Sequence, residues 1–160
     1  MELIKTRPVA VTWLYILLIF LGVGALAGGG AMVIDPSGDL IHIPTSMMKR
    51  SPFSDFLIPG SLLFIVFGVL PLLVVYGLIK RPQWGLVKRL NPFKKLYSFW
   101  AWSLYIGFGQ IIWITVQTYM LNSVAIVHLI YISLGLLIQA VTLLPSVQSY
   151  FSLDGGSERR

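Results

Sequence analysis

Apolar residues dominate the chain in four stretches separated by polar and charged residues. These stretches cover residues 9–34, 57–79, 97–121 and 124–145, and none of them contains Asp, Glu, Lys or Arg. A helix needs about 20 apolar residues to cross the hydrocarbon core of a bilayer, so each stretch is long enough. The backbone polar groups of such a segment must be satisfied internally, which favours helices. The pattern therefore predicts a single-domain all-α membrane protein, a four-transmembrane-helix up-and-down bundle.

The connections between the stretches differ in character. Residues 35–56 form an outer segment between the first two stretches, residues 80–96 form a basic loop, residues 146–160 form a tail, and Asn122 and Ser123 form a tight turn. The outer segment contains a Pro-Gly turn together with many apolar residues, more than a loop standing free in water would carry. We expect it to lie as an extracytoplasmic lid across one end of the bundle.

Basic residues set the predicted orientation. With both termini on one side, ten Lys and Arg residues lie on that side and only two, Lys49 and Arg50, lie on the other. Cytoplasmic loops carry the excess of basic residues, so the N- and C-termini are predicted to be cytoplasmic. Charged residues make up 11% of the chain, against roughly 25% in soluble domains. The net charge of +6 is therefore mainly a topology signal, and nucleic acid is not an expected partner.

The first stretch has a second interpretation, as a secretory signal. Lys5 and Arg7 precede its apolar run, and the triplet at 25–27, Ala-Leu-Ala, has the small-residue pattern of a cleavage site. Cleavage there would leave three spans. The apolar run continues past this triplet to Ile34, which favours an uncleaved first span.

Glycines are concentrated in the second half of the first stretch. Gly24 and Gly28 form a GxxxG pair with Gly29 beside it, so a neighbouring helix can approach the backbone closely. The simplest neighbour is another span of the same bundle. A second copy of the chain in a homo-oligomer, a larger membrane complex or a lipid would suit the same surface. The consecutive glycines at 28–30 also allow a bend, since each lowers helix propensity by ~1 kcal/mol.

The outer segment carries a resemblance to known sequences. The motif DPSG at 35–38, the motif SPFSDFLIPG at 51–60 and the glycine-rich first span together resemble small uncharacterised bacterial membrane proteins with four predicted spans. The resemblance covers most of the chain and implies a bacterial cytoplasmic (inner) membrane as its location. It implies no activity.

Polar residues follow one face of each of the last two stretches. Gln110 and Gln117 are seven residues apart in the third stretch, and His128, Tyr131 and Gln139 recur at helical spacing in the fourth. Interhelical hydrogen bonds between such residues contribute ~0.6 to 2 kcal/mol and commonly serve packing alone. The alternative is a polar site for a ligand headgroup or a quinone carbonyl. The candidate ligand-binding residues are then Gln117, His128, Tyr131, Trp113 and His42.

The remaining inventory excludes several kinds of chemistry. The chain has no cysteine, which removes disulfides, thiolate nucleophiles and Cys-bound metals. Its two histidines, His42 and His128, lack the spacing of a metal motif, so neither a metal nor another cofactor is expected. A small proton-coupled exporter would need a carboxylate within a span, and the four stretches contain none.

Two functional hypotheses remain open. The first is a non-enzymatic membrane module, an accessory subunit or a binder of a lipid-like ligand with membrane lipids as its partners. The second is a small membrane enzyme or redox component, associated with quinone or haem, that uses the outer-end cluster of candidate residues. The scarcity of acids and the lack of thiols favour the first hypothesis.

Overall fold

The computed structural model describes residues 6–48 and 50–153, which contain helices and no strands. The prediction of an all-helical chain is confirmed. The main helices are α1 (Val9–Ile34), α2 (Leu57–Lys80), α3 (Gly85–Arg89), α4 (Ser98–Leu121), α5 (Ile126–Thr142) and α6 (Pro145–Phe151). Two 3-10 helices, Asp39–Ile41 and Thr45–Met47, lie between α1 and α2. Within the described residues three helices, α1, α2 and α4, are long and apolar enough to cross a membrane. The pair α5 and α6 adds a fourth candidate span if the two are taken together. Four of the basic residues in the orientation argument lie outside the described residues: Lys5, Lys49, Arg159 and Arg160.

The fourth predicted stretch, 124–145, is interrupted near its end. The helix α5 stops at Thr142, and α6 begins at Pro145 after a bend of 63°. Leu144 has an extended ψ of 136° because a residue before proline is pushed out of the helical region. Proline itself suits the first turn of a new helix, where its missing N–H is not needed. The prediction of one uninterrupted helix over this stretch is therefore wrong at its last residues.

The helix α2 is not regular along its whole length. Residues Leu63–Val69 have π-helical hydrogen bonding, with α-helical turns on both sides. Pro71 follows two residues later and has no N–H to bond the carbonyl of Phe67, so the α-helical ladder is broken at this level. By contrast, α1 continues through the glycines at 28–30 to Ile34. The glycines, which would allow a bend or unwinding, do not interrupt the α-helix.

Glycines lie where neighbouring helices are in close contact. The helix α1 packs along α2 and against α5, while α4 packs against α5 and α2. A Cβ atom on Gly29 would lie 2.6 Å from the backbone nitrogen of Phe64 and 2.8 Å from the carbonyl oxygen of Gly60. A Cβ atom on Gly107 of α4 would lie 3.0 Å from the carbonyl oxygen of Gly135 in α5. Missing side chains thus let two pairs of helix backbones approach each other.

The apolar core forms two clusters at opposite ends of the helices. The larger surrounds Trp100, which is fully buried with Phe151, Leu14 and Leu78. Its indole Nε1 donates a 2.9 Å hydrogen bond to the carbonyl oxygen of Thr142, where α5 ends. The helix α6 closes this end, and the backbone N–H of Tyr97 bonds the carbonyl oxygen of Phe151 at 2.9 Å. The bend after α5 therefore folds α6 under the other helices. The smaller cluster consists of Met32, Met48, Phe56 and Leu121.

The described residues of the segment 35–56 pack against the end of the helices that contains the smaller cluster. The backbone N–H of Phe56 bonds the carbonyl oxygen of Pro36 at 3.0 Å, which brings the two ends of the segment together. Gly38 has a φ of +84°, and a Cβ atom there would meet the ring of Phe56 at 2.8 Å. The backbone N–H of Arg50 reaches the carbonyl oxygen of Met120 at 3.4 Å. The segment is thereby attached to the last turn of α4.

Candidate functional site

A cavity of about 490 Å³ lies between α1, α4 and α5, and residues 41–43 and 47 also line it. This volume falls within the range of roughly 300–1,000 Å³ that is usual for small-molecule sites. Most of its wall is apolar. The polar side chains at its surface are those of Gln110 and Gln117 from α4, Ser123 from the turn, His128 and Tyr131 from α5, and His42 from residues 35–56. Four of the five candidate binding residues thus meet at one cavity, namely Gln117, His128, Tyr131 and His42.

The fifth candidate, Trp113, lies elsewhere. The α4 residues that line the cavity, among them Gln110, Ile114 and Gln117, recur at the helical spacing of three or four. Trp113 lies beside this face of α4 and does not line the cavity. The centre of its ring lies 6.0 Å from that of Phe67 in α2. It borders a smaller neighbouring pocket that Gln117 also lines. Within the described residues, Trp113 is therefore not part of the main cavity.

The buried amide of Gln110 is the most unusual polar group in the cavity wall. Its side chain is 0% exposed, and neither Nε2 nor Oε1 has a hydrogen-bond partner among the described residues. A buried polar group without a partner costs about 1–3 kcal/mol, and most such groups in native proteins are paired. Gln110 lines the cavity, and its NH2 donor group and its acceptor oxygen have no partner among the described residues.

His128 combines a structural bond with a position on the cavity wall. Its Nδ1 accepts a 2.9 Å hydrogen bond from the backbone N–H of Ala125, at the start of α5. A ring nitrogen that accepts a hydrogen bond carries no proton, so the neutral ring carries its proton on Nε2. The ring thus satisfies one of the orphan N–H groups near the start of α5 and keeps a donor for another partner. The sequence pattern gave no sign of this capping bond.

Gly24, Gly28 and Gly29, the predicted helix-contact face, point to three different neighbours. Gly29 packs against the backbone of α2, as described above. Gly24 lies against the hydroxyl of Tyr131, where a Cβ atom would overlap this oxygen. Gly28 is more open, since the nearest atom to an added Cβ would be a methyl carbon of Leu63 at 3.7 Å. Both Gly24 and Gly28 border the cavity.

Farther from the cavity, the polar stripe of α5 serves packing. The Oγ1 atom of Thr142 donates to the carbonyl oxygen of Ile138 at 2.6 Å, within its own helix. The side chain of Gln139 crosses the glycine contact between the helices, with its Cγ 2.7 Å from the Cβ position of Gly107. Of the polar residues along this face of α5, His128 and Tyr131 line the cavity, whereas Gln139 and Thr142 do not.

The described residues of the cavity wall include no acidic side chain and no Lys or Arg. Within residues 6–48 and 50–153, no three His, Cys, Asp or Glu side chains come close enough together to hold a metal ion. Amide, imidazole and hydroxyl groups remain, and these form hydrogen bonds with uncharged partners.

Several lining residues were not among the sequence-based candidates. Ile41, Ile43 and Met47 enter the wall because the described part of the segment 35–56 packs against this end of the helices. The apolar residues of this segment predicted that it lies against one end of the helices, but not which of its side chains would face the cavity. Gln110 is different, because its seven-residue spacing from Gln117 already placed both on one helix face.

Comparison with known proteins gives no relative from which a function could be transferred. No protein-family model, curated protein or solved structure matches the chain. A function must therefore be inferred from the cavity itself.

Proposed function

We propose that this chain is an integral protein of the bacterial inner membrane that binds a lipid-like molecule in the cavity. In this proposal α1, α2, α4 and the bent pair α5–α6 form a four-span bundle with both termini in the cytoplasm. Residues 35–56 form an extracytoplasmic lid over the bound molecule. The protein acts by binding, as a module or accessory subunit, and carries out no reaction. The candidate spans and the ten-to-two distribution of basic residues support this arrangement.

The single observation that carries the proposal is the unpaired amide of Gln110. A fully buried amide with two free hydrogen-bonding atoms is unfavourable in an empty apolar cavity. Burial of the same amide becomes favourable when a ligand supplies the missing hydrogen-bond partners. An apolar wall with a few convergent polar groups is the usual composition of a small-molecule site. The cavity combines both features.

The position of the cavity favours a ligand that comes from the membrane. It lies between helices whose outward surfaces carry large apolar side chains, such as Phe20 in α1 and Leu129 in α5, both more than half exposed. Apolar surfaces of this kind are stable in hydrocarbon, because lipid tails are as apolar as the side chains themselves. A molecule dissolved in the bilayer would therefore be present at high concentration beside the cavity. Met47 and Ile43 extend the apolar wall to the underside of the proposed lid.

Extraction of the purified protein tests the proposal. The protein is isolated in mild detergent, and its organic extract is analysed by mass spectrometry beside a detergent blank. The matched variants are Gln110→Met, which keeps the side-chain length but removes the amide, and Gln139→Met, which makes the same change outside the cavity. We expect a bound species in the wild type and in Gln139→Met, and its loss from Gln110→Met. Equal retention by Gln110→Met, or no species in the wild type, would contradict the proposal.

A second candidate function is a small redox component. It is favoured by one observation, that His42 and His128, the two histidines of the chain, line the same cavity. Imidazole N–H groups bond quinone carbonyls, whereas haem ligation through Nε2 of His128 would require the loss of its hydrogen bond from Ala125. The visible spectrum of the purified protein separates the two functions. A haem or flavin absorption band would support the redox candidate, and a colourless protein with a bound lipid would reject a coloured redox cofactor.

A further inference from the structure

The polar groups that face the cavity define the chemistry of the ligand end that they would bind. Gln110 offers an amide NH2 group as donor and a carbonyl oxygen as acceptor, and neither has a protein partner among the described residues. His128 offers an Nε2–H donor because its Nδ1 is already bonded to Ala125. Tyr131 adds a hydroxyl, which can donate or accept. A ligand group that both accepts and donates hydrogen bonds satisfies this set, whereas a plain hydrocarbon does not.

The residue types in the cavity wall also limit the charge of the ligand. No described lining residue is Asp, Glu, Lys or Arg, so an ionised headgroup would find no ion-pair partner there. Burying an unpaired charge in apolar surroundings is far more costly than burying a neutral group that forms hydrogen bonds. The Ala125 bond also favours the neutral form of His128, because an accepting Nδ1 carries no proton.

The volume of the cavity limits the size of the ligand. Its volume of about 490 Å³ suits one small head or ring with part of an apolar chain, within the range of drug-sized sites. The rest of a longer chain would extend along the helices into the bilayer. The cavity is thus matched to one head and one chain.

We propose, building on the proposed function, that the molecule bound in this cavity is an uncharged amphiphile with a single apolar body. Its buried end carries a carboxamide or hydroxyl group, which both donates and accepts, and which pairs with the amide of Gln110 and the imidazole of His128. Phospholipids and other amphiphiles with an ionised head are excluded from the cavity because its described wall residues include no Asp, Glu, Lys or Arg. The specificity of the site is therefore a selection against charge.

Photolabelling with matched probes tests this inference. Three probes share one diazirine-bearing hexadecyl chain and differ in the head, which is a primary carboxamide, a hydroxyl or a sulfonate. The sulfonate is ionised at every working pH, so its charge does not depend on the surroundings. Each probe is added to the detergent-purified, delipidated protein, irradiated, and the labelled residues are located by mass spectrometry. Gln110→Met and Gln139→Met serve as the cavity variant and its control.

We expect the carboxamide and the alcohol to label residues of the cavity wall in the wild type and in Gln139→Met. Labelling there should fall in Gln110→Met, and the sulfonate should label the wall on the order of tenfold less than the neutral probes, because its charge must be desolvated. Sulfonate labelling equal to that of the carboxamide would overturn the inference and leave ligand binding itself intact. If none of the probes labels the cavity wall, both this inference and the proposed function fail.

Discussion

The hydroxyl oxygen of Tyr131 lies against Gly24, in the space that a Cβ atom of residue 24 would occupy. This contact joins α1 to α5 at the edge of the cavity, and both residues line it. The glycine is thus required by a side chain of a neighbouring helix and not by the approach of another backbone. The tyrosine ring forms part of the cavity wall at this level.

Replacement of Gly24 should change the cavity more than the stability of the fold. In Gly24→Ala the added methyl displaces the Tyr131 hydroxyl, and the ring can move toward the open cavity. We expect a loss of about 1 kcal/mol or less in the free energy of unfolding, the low end of overpacking costs, together with weaker ligand retention. Tyr131→Phe removes the overlapping oxygen, so the double variant should recover stability. Additive losses in this double-mutant cycle would show that the contact does not limit residue 24.

Gly29→Ala should be the more damaging glycine replacement. Its methyl would meet the backbone of Phe64 and Gly60, which cannot move aside as a side chain can. We expect a loss of about 1–3 kcal/mol in unfolding experiments in detergent, as for other overpacked contacts. Gly28→Ala is the matched control one position away. It has 3.7 Å of clearance to Leu63 and gains up to ~1 kcal/mol of helix propensity. Equal effects of the two changes would contradict the distinction between a helix contact and a cavity wall.

The regular part of the fold could be predicted from the sequence. Long apolar stretches without charges have only one stable form in lipid, so α1 was predicted at its observed bounds and α4 to within one residue. The bend before Pro145 was missed because the apolar run continues through it, although proline is a local signal for such a break. The π-helical turns of α2 were missed because they depend on how Pro71 is accommodated among neighbouring helices.

The candidate site could be predicted in part for the same reason. Helical spacing placed Gln117 and His128 on facing stripes, and both line the cavity. The spacing could not say that Trp113, four residues before Gln117, would turn toward Phe67. The roles of the three glycines also depend on which helix lies opposite each of them. Which helix lies opposite a glycine is decided by tertiary packing, and the spacing of residues along one helix does not predict it.

The turn at the start of residues 35–56 should depend on pH through Asp35. Its carboxylate accepts hydrogen bonds from the Ser37 hydroxyl at 2.6 Å and from the backbone N–H of Leu40 at 2.8 Å. The Ser37 bond, followed by the Leu40 bond, lowers the pKa of Asp35 below its ordinary value of 3.8. A lowered pKa means that the carboxylate stabilises the turn above pH 3.8, and that this contribution is lost as the pH falls through the lower folded-state pKa.

Hydrogen exchange of the peptide that covers this turn measures the effect. After correction for intrinsic exchange rates, protection of the Leu40 amide should be constant above pH 3.8 and decrease below it. Asp35→Asn should lower the protection at neutral pH. Asp39→Asn is the control, because no hydrogen bond of its carboxylate appears among the described residues. Unchanged protection in Asp35→Asn would refute the assigned role of this carboxylate.

The proposed topology is tested by fusion of a reporter that is active only outside the cytoplasm. A reporter placed after Arg160 should be inactive, and one inserted between Pro44 and Thr45 should be active, as the ten-to-two distribution of basic residues requires. A reporter active only in the cytoplasm should give the opposite pattern at the same two positions. Extracytoplasmic activity at Arg160 would contradict the four-span arrangement and would fit removal of the first span as a signal.

The central claim is that the Gln110 amide is unpaired in the protein and becomes paired by a ligand. The most direct test compares the unfolding free energies of wild type and Gln110→Met, before and after removal of co-purified lipid. Gln139→Met is measured alongside because Gln139 Nε2 is also buried without a partner among the described residues, but outside the cavity, so its effect should not depend on lipid. In delipidated protein, Gln110→Met should be more stable by about 1–3 kcal/mol, because it removes a buried polar group without a partner. With the natural ligand retained, the wild type should recover this difference through binding. Lower stability of Gln110→Met in the delipidated protein would show that the amide already has partners within the fold, and would contradict the account.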